Sequence, residues 1–287
     1  MTQLDDPIVI VSAVRTPLGR FLGDLASLEA TALGAVVIRA ALQRAHLPFE
    51  RPDEVIMGCV LSAGLGQAPT RRAARRAGLP DGIGATTVNK VCGSGMKAAM
   101  IGHDLICAGA AEVVVAGGME SMSNAPYLLA KAREGYRAGH GKIFDHMMLD
   151  GLEDAYEPGR AMGDFGELAV EKYQFTRDDQ DTYAIETLTR ARVAIENRLF
   201  AAEIAPVSVT LKAGERIVDT DEHPLKVHPE KIPGLQAAFR PDGTITTASA
   251  SANADGAAAL VLTRLSLARK ENLPILALIR AHVTHSQ

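Results

Sequence analysis

Two spacings of apolar residues alternate along the chain. "PIVIVSAVRTP" (7–17) is a continuous β-branched run bounded by prolines, which predicts a buried strand. "SLEATALGAVVIRAALQRAHL" (27–47) sets Leu28, Leu33, Val36, Val37, Ala40 and Ala41 near one face, which predicts a helix with Ser27 as its cap. "DEVIMGCVLSAG" (53–64) reads as a strand entering a Gly-rich loop. "APTRRAARRAGL" (68–79) reads as a short basic helix ended by Gly78. "TTVNKV" (86–91) is a strand, "GSGMKAAMIGHDLICAG" (93–109) a helix ended by Gly109, and "EVVVAGGME" (112–120) a strand. The 93–109 helix is small or apolar nearly all round, which predicts burial on all sides. Strands alternating with helices predict an α/β fold of packed layers.

From about Ser123 to Thr247 the chain carries more charge and more loop residues. One helix stands out there, "TRDDQDTYAIETLTRARVAIENRLF" (176–200). Thr176 and Asp179 form a capping-box pattern, and Tyr183, Leu188, Ala191, Ile195 and Leu199 supply an apolar stripe. "KVHPEKIPGLQAAFRPDG" (226–243) is punctuated as loop. Afterwards "ADGAAALVLTRL" returns as a buried strand, "SLARKENL" as a short helix, and "PILALIRAHVTH" (274–285) as one more strand. The segment 123–247 therefore reads as an excursion from a core made by 1–122 and 248–273.

Composition narrows the function classes. Of the 287 residues 47% are hydrophobic and 22% charged, the balance of a soluble globular protein. The net charge of -4 and the absence of tryptophan argue against nucleic acid, and no run approaches a membrane span. "MTQLDDPIVIV" has no basic start followed by a long apolar run, so a cytoplasmic location is expected. The cysteines, Cys59, Cys92 and Cys107, are odd in number and lack metal spacing, which argues against both disulfides and a zinc site. Cys92 falls between a strand and a helix. A helix N-terminus favours a thiolate, and Gly93 and Gly95 would leave the first turn bare for a close-approaching substrate. The plainer alternative is a buried, inert thiol, and that is how Cys59 and Cys107 read. The basic run 71–76 reads most simply as a solvated helix face.

"VNKVCGSGMKAA" together with "VVAGGMESMSNAPYLL" resembles the thiolase family. "VIVSAVRTPLGRFLG", "GQAPTRRAARRAGLP", "DGLEDAYEPGRAMG", "TRDDQDTYAIET" and "DGTITTASASANADGAAALVL" follow that family's pattern and cover essentially the whole chain. The resemblance implies an acetyl-CoA C-acetyltransferase of fatty acid metabolism. Cys92 would be the nucleophile that forms an acyl-enzyme, and a second acetyl-CoA would condense with it to acetoacetyl-CoA, reversibly. It implies no metal and no cofactor beyond coenzyme A as substrate carrier. It also implies a homo-oligomer, dimer or tetramer, in the full-length form. The 123–247 excursion would be a lid carrying much of the CoA site and the tetramer contact. Met162 would lie beside the acyl and pantetheine region, Ser251 would meet the pantetheine amide, Phe239 would line the adenine or pantetheine path, and Lys226 would serve the CoA phosphates.

The chain departs from the pattern at two short places. Ala161 stands where many relatives have histidine before Met-Gly, and "SASA" (249–252) stands for Asn-Ala-Ser-Gly. The family's second α/β half carries a Gly-His-Pro loop that activates the nucleophile, an Asn-Glu-Ala-Phe segment and an acid/base cysteine. None of these motifs occurs in this sequence. The resemblance thus implies the N-terminal half plus lid, with 274–287 beginning a truncated second half, and weak activity for the chain by itself. The other readings are a broader 3-ketoacyl-CoA thiolase, a ketoacyl synthase, a CoA-binding fragment without catalysis, and a cysteine hydrolase.

Overall fold

A computed structural model describes residues 6–212 and 214–285; the reading of the extreme N-terminus rests partly on residues 1–5, outside these. In chain order the elements are β1 (Ile8–Arg15), β2 (Gly19–Arg20), α1 (Ala30–Arg44), β3 (Glu54–Gly58), α2 (Pro69–Ala77), β4 (Gly84–Val88), α3 (Ser94–Cys107) and β5 (Val113–Ser121). Then come β6 (Tyr127–Leu129), β7 (Ile143–Asp145), α4 (Met162–Tyr173), α5 (Arg177–Glu196), β8 (Val207–Leu211), β9 (Gly214–Val218) and α6 (His223–Lys226). β10 (Ala254–Arg264), α7 (Leu265–Lys270) and β11 (Ala277–Leu278) complete the described chain.

One mixed sheet dominates, in the order β11-β1-β10-β5-β3-β4, with β2 also paired to β10. β3 runs parallel to β4 and β5, whereas β10 runs antiparallel to β1 and β5. The period-2 alternation of a strand divides the apolar side chains between two faces. Val113, Val115, Ala259 and Val261 join Leu33, Val37 and Ile38 of α1 and Ala73 and Ala77 of α2. Val114, Ala116 and Leu262 join Ala98 and Ile106 of α3 on the opposite side. The structure is a mixed α/β layering with an added α/β excursion, as the sequence predicts.

Several local expectations change. α1 starts at Ala30 behind Glu29, with no side-chain cap, so Ser27 does not cap it. α3 is not buried all round: Met96 is 74% exposed and Asp104 is exposed, while its other residues are buried or half-buried. Its small, apolar composition let no single face stand out in the sequence. The stretch 274–285 forms only the two-residue β11, paired with Val9 and Ile10.

In the excursion α5 begins as expected: Thr176 Oγ1 accepts the Asp179 N–H at 3.1 Å. Its apolar stripe is not its buried face, however, because Tyr183 and Leu199 are exposed while Asp181 and Ala184 are buried. Arg177 pairs with Asp181 at 2.8 Å, which offsets the burial of that carboxylate. α4 and the β6–β7 and β8–β9 hairpins are missed by the sequence reading. Two adjacent carboxylates fasten the excursion to the core. Asp221 accepts from Arg15 at 2.7 Å and from the Leu18 N–H at 2.8 Å. Glu222 accepts the Arg20 and Asp24 N–H groups at 3.0 and 2.8 Å. Among the described residues no helix is long and apolar enough to cross a membrane.

Candidate active site

Cys92 lies on the turn from β4 into α3, and it is the only exposed thiol of the three. The residue before it, Val91, has φ 49°, a left-handed conformation that a β-branched residue adopts at a cost of about 1–3 kcal/mol. The turn is held against that strain by its neighbours. Val91 N–H donates to Asn89 Oδ1 at 2.9 Å, and Gly93 N–H to the Lys90 carbonyl at 3.1 Å. Ser94 contributes at both ends of its hydroxyl, accepting the Lys90 N–H at 2.8 Å and donating to the Val91 carbonyl at 2.5 Å.

The two glycines after Cys92 differ in surroundings. A Cβ on Gly93 would meet nothing closer than the Lys90 carbonyl at 3.4 Å, so that side of the turn is open. A Cβ on Gly95 would point at the Gly117 and Gly118 backbone from 3.6 Å. That is ordinary contact distance, so Gly95 faces the β5 backbone without being pressed against it. β3 yields from the other side: a Cβ on Gly58 would come within 2.6 Å of Ser94. Gly58 of "MGC" lets β3 approach the start of α3, and Gly117 of "AGGM" lets β5 approach β10, where a Cβ would collide with Ser94 and Ala258.

Cys59 shows the contrast. It is buried directly after β3, beside Glu120 of β5 at 3.6 Å. Burial, reinforced by that carboxylate, pushes its thiol far up, which makes it inert. Glu120 in turn accepts the Val60 and Leu61 N–H groups at 2.8 and 3.0 Å, while burial raises its own carboxyl above the usual range. It ties the loop after β3 to the end of β5, a role the sequence reading missed. Cys107 is half-buried at the end of α3.

Met162, Phe239 and Ser251 line one open cavity of about 770 Å³, together with Arg20, Phe21 and His223. α4 organises this wall. The Phe239 ring packs over Gly163, where a Cβ would meet it at 2.2 Å. Buried Glu167 accepts the Thr244 and Ile245 N–H groups at 2.9 and 2.8 Å and so fixes the loop between Phe239 and Ser251. Glu167 was not predicted; the only signal for it is a carboxylate four residues, one helical turn, after the "AMG" glycine. His223 lies between this cavity and a neighbouring apolar groove of about 450 Å³, and burial, with Arg20 nearby, lowers its pKa.

Lys226 is not brought to that cavity. It lines a smaller hollow with Asp24, Arg216 and Asp219, beside α6. Cys92 is likewise not among the cavity's lining residues. The basic run on α2 is tied down locally: Arg71 and Arg75 reach Asp81, and Arg72 and Arg76 reach Glu29.

Comparison with known proteins bears directly on this arrangement. Residues 8–266 match the family described as "Thiolase, N-terminal domain". The acetyl-CoA acetyltransferase of Schizosaccharomyces pombe is 46% identical over 279 residues, covering 96% of this chain and 70% of that protein. The acetyl-CoA acetyltransferase of Escherichia coli is 46% identical over 278 residues, again covering 96% and 70%. Among solved structures, the Acat5 thiolase of Ascaris suum in complex with coenzyme A superposes with a TM-score of 0.89 at 40% identity, covering 96% of this chain and 70% of that one.

Proposed function

The chain belongs to the thiolase family of acyltransferases, and from that premise we propose that Cys92 is the nucleophile of an acetyl-CoA C-acetyltransferase reaction. The observation that carries this reading is the turn itself: the one exposed thiol, presented on a strained residue that four hydrogen bonds hold in place. Among the described non-glycine residues of positive φ, Val91 is the one that is β-branched, and strain retained there fits a group held ready for reaction.

In the first half-reaction the Cys92 sulfur bonds to the acetyl carbonyl carbon and the carbon–sulfur bond to coenzyme A breaks. The thiol proton leaves with the departing CoA thiol. By the family resemblance, the Cys92 N–H would help hold the developing oxyanion. In the second, the α-carbon of another acetyl-CoA, having lost a proton to a base, bonds to the acyl carbon and expels the Cys92 thiolate. The product is acetoacetyl-CoA.

The cavity walled by Met162, Phe239 and Ser251 suits the pantetheine arm of the coenzyme, with an apolar ring and thioether along its length and a hydroxyl for its amide. Lys226, some way round α6, is kept in the proposal only as an outlying contact for the CoA phosphates. Among the described residues no hydrogen bond joins a histidine to the Cys92 sulfur. Without such a base the Cys92 thiol is less readily activated, so acylation by these residues is expected to be slow. Exposed Tyr127, Leu129 and Ile143 on the β6–β7 hairpin support association of copies.

Exchange of labelled coenzyme A into acetyl-CoA tests the assignment, because it needs only acylation and its reversal. Exchange that depends on Cys92 supports it, and exchange of equal rate in Cys92→Ala refutes it.

A further inference from the structure

Away from the Cys92 turn, His103, Asp104 and His282 bring three ligand atoms together, all within 4.8 Å of one another. His103 is buried on the sheet side of α3, Asp104 follows it at the surface, and His282 arrives from the chain beyond β11. His103 Nδ1 lies 3.0 Å from Asp104 Oδ1, His282 Nε2 lies 2.9 Å from the same oxygen, and the two nitrogens are 3.2 Å apart. The imidazole planes are nearly perpendicular, at 85°.

With the carboxylate ionised, hydrogen bonds can hold this triangle, but only with both imidazoles crowded on one oxygen. Both nitrogens need a proton to donate to Asp104, and then two N–H groups face each other. If only one carries a proton, the other turns a lone pair toward the carboxylate. A cation that accepts all three lone pairs removes the conflict. Metal–ligand bonds of about 2.0–2.2 Å at tetrahedral angles space the ligand atoms about 3.3–3.5 Å apart, within a few tenths of the sides seen here. Two imidazoles and one carboxylate are the donor set of a borderline divalent transition metal rather than of calcium or magnesium. The Cys107 sulfur, one turn further along α3, lies 3.7 and 3.8 Å from the two ring nitrogens of His103, beside the ring and outside the three-atom cluster.

We propose that His103, Asp104 and His282 form a zinc-class divalent-metal site that fastens the chain beyond β11 to α3. The site stands apart from the thiolase chemistry and does not depend on it.

Titration of the metal-free full chain with Co²⁺, followed by its visible d–d bands, tests the proposal. A saturable 1:1 spectrum of tetrahedral intensity, displaced by Zn²⁺, is expected. Asp104→Asn and His282→Ala change exposed positions, so folding is retained and is checked by far-UV circular dichroism. Each should weaken Co²⁺ binding at least tenfold. Absence of a saturable spectrum in the parent chain, or binding within tenfold of the parent in either variant, overturns the site.

Discussion

The Ser94 hydroxyl oxygen accepts the backbone N–H of Lys90 at 2.8 Å, closing the turn that carries Cys92. The same hydroxyl donates to the Val91 carbonyl, so one buried side chain clamps both flanks of a left-handed residue. Ser94→Ala leaves the Lys90 N–H without that partner. It should cost about 1–3 kcal/mol in urea unfolding and slow the reaction of Cys92 with acetyl-CoA on the order of tenfold. Unfolding and acylation rates measured on the same samples check this; unchanged acylation would mean the turn is held by other contacts.

Gly58 gives the floor on which α3 sits. A Cβ there would come within 2.6 Å of Ser94 backbone and side chain, and neither is a flexible tip that can swing away. Gly58→Ala should destabilise the fold by about 1–3 kcal/mol. It should also alter the rate at which a small thiol reagent labels Cys92. Gly82→Ala, with open space around its Cβ, is the matched control and should leave both quantities near the parent values.

Phe239 and Gly163 are packed so closely that a Cβ on Gly163 would overlap the ring. Gly163→Ala should push the ring from its place in the cavity wall. Phe239→Ala should remove the wall itself. Both variants should raise the Kd for coenzyme A on the order of tenfold, about 1.4 kcal/mol, with little effect on Cys92 labelling. Calorimetric titration with coenzyme A reads this directly, and unchanged affinity in both variants would move the pantetheine path elsewhere.

Glu120 sets a pH signature. Burial raises its carboxyl above the ordinary 4.5, so between that value and its folded pKa the folded chain holds more proton than the unfolded one. Its contribution to stability is present below the unfolded value and is lost as pH rises through the folded one. Glu120→Gln does not titrate. After a constant offset of about 1 kcal/mol for a lost N–H partner, the variant should gain on the parent as pH rises above 4.5 through the weakly acidic range. A stability difference that stays flat across that range would contradict the assignment.

The layering of the core was legible because each buried strand is a β-branched run and each outer helix keeps a 3.6-residue stripe. α3 was legible as a helix, but the part of it that stays exposed was not. Its alanines, methionines and glycines carry too little polarity to mark the face that Met96 leaves open. α4 was hidden for a related reason: "MGDFGELAVEKY" holds two glycines and three acidic residues, and it is stabilised by long-range partners such as Thr244 and Arg240. At the site, Cys92 could be singled out from its motif as the candidate nucleophile, and its exposure is consistent with that reading. The strain at Val91 and the double role of Ser94 could not, because a left-handed valine has no signature in sequence. That Lys226 lines a separate hollow from Met162, Phe239 and Ser251 was not legible, because a basic residue in a loop-rich stretch carries no information about which hollow of the surface it will line.

The most direct test of the central claim is the intact mass of the chain after incubation with acetyl-CoA, followed by peptide mapping. The parent chain should gain the mass of one acetyl group, mapped to the peptide containing Cys92, and Cys92→Ala should gain none. A folded parent that takes up no acetyl group, or an adduct that persists in Cys92→Ala, would contradict the account.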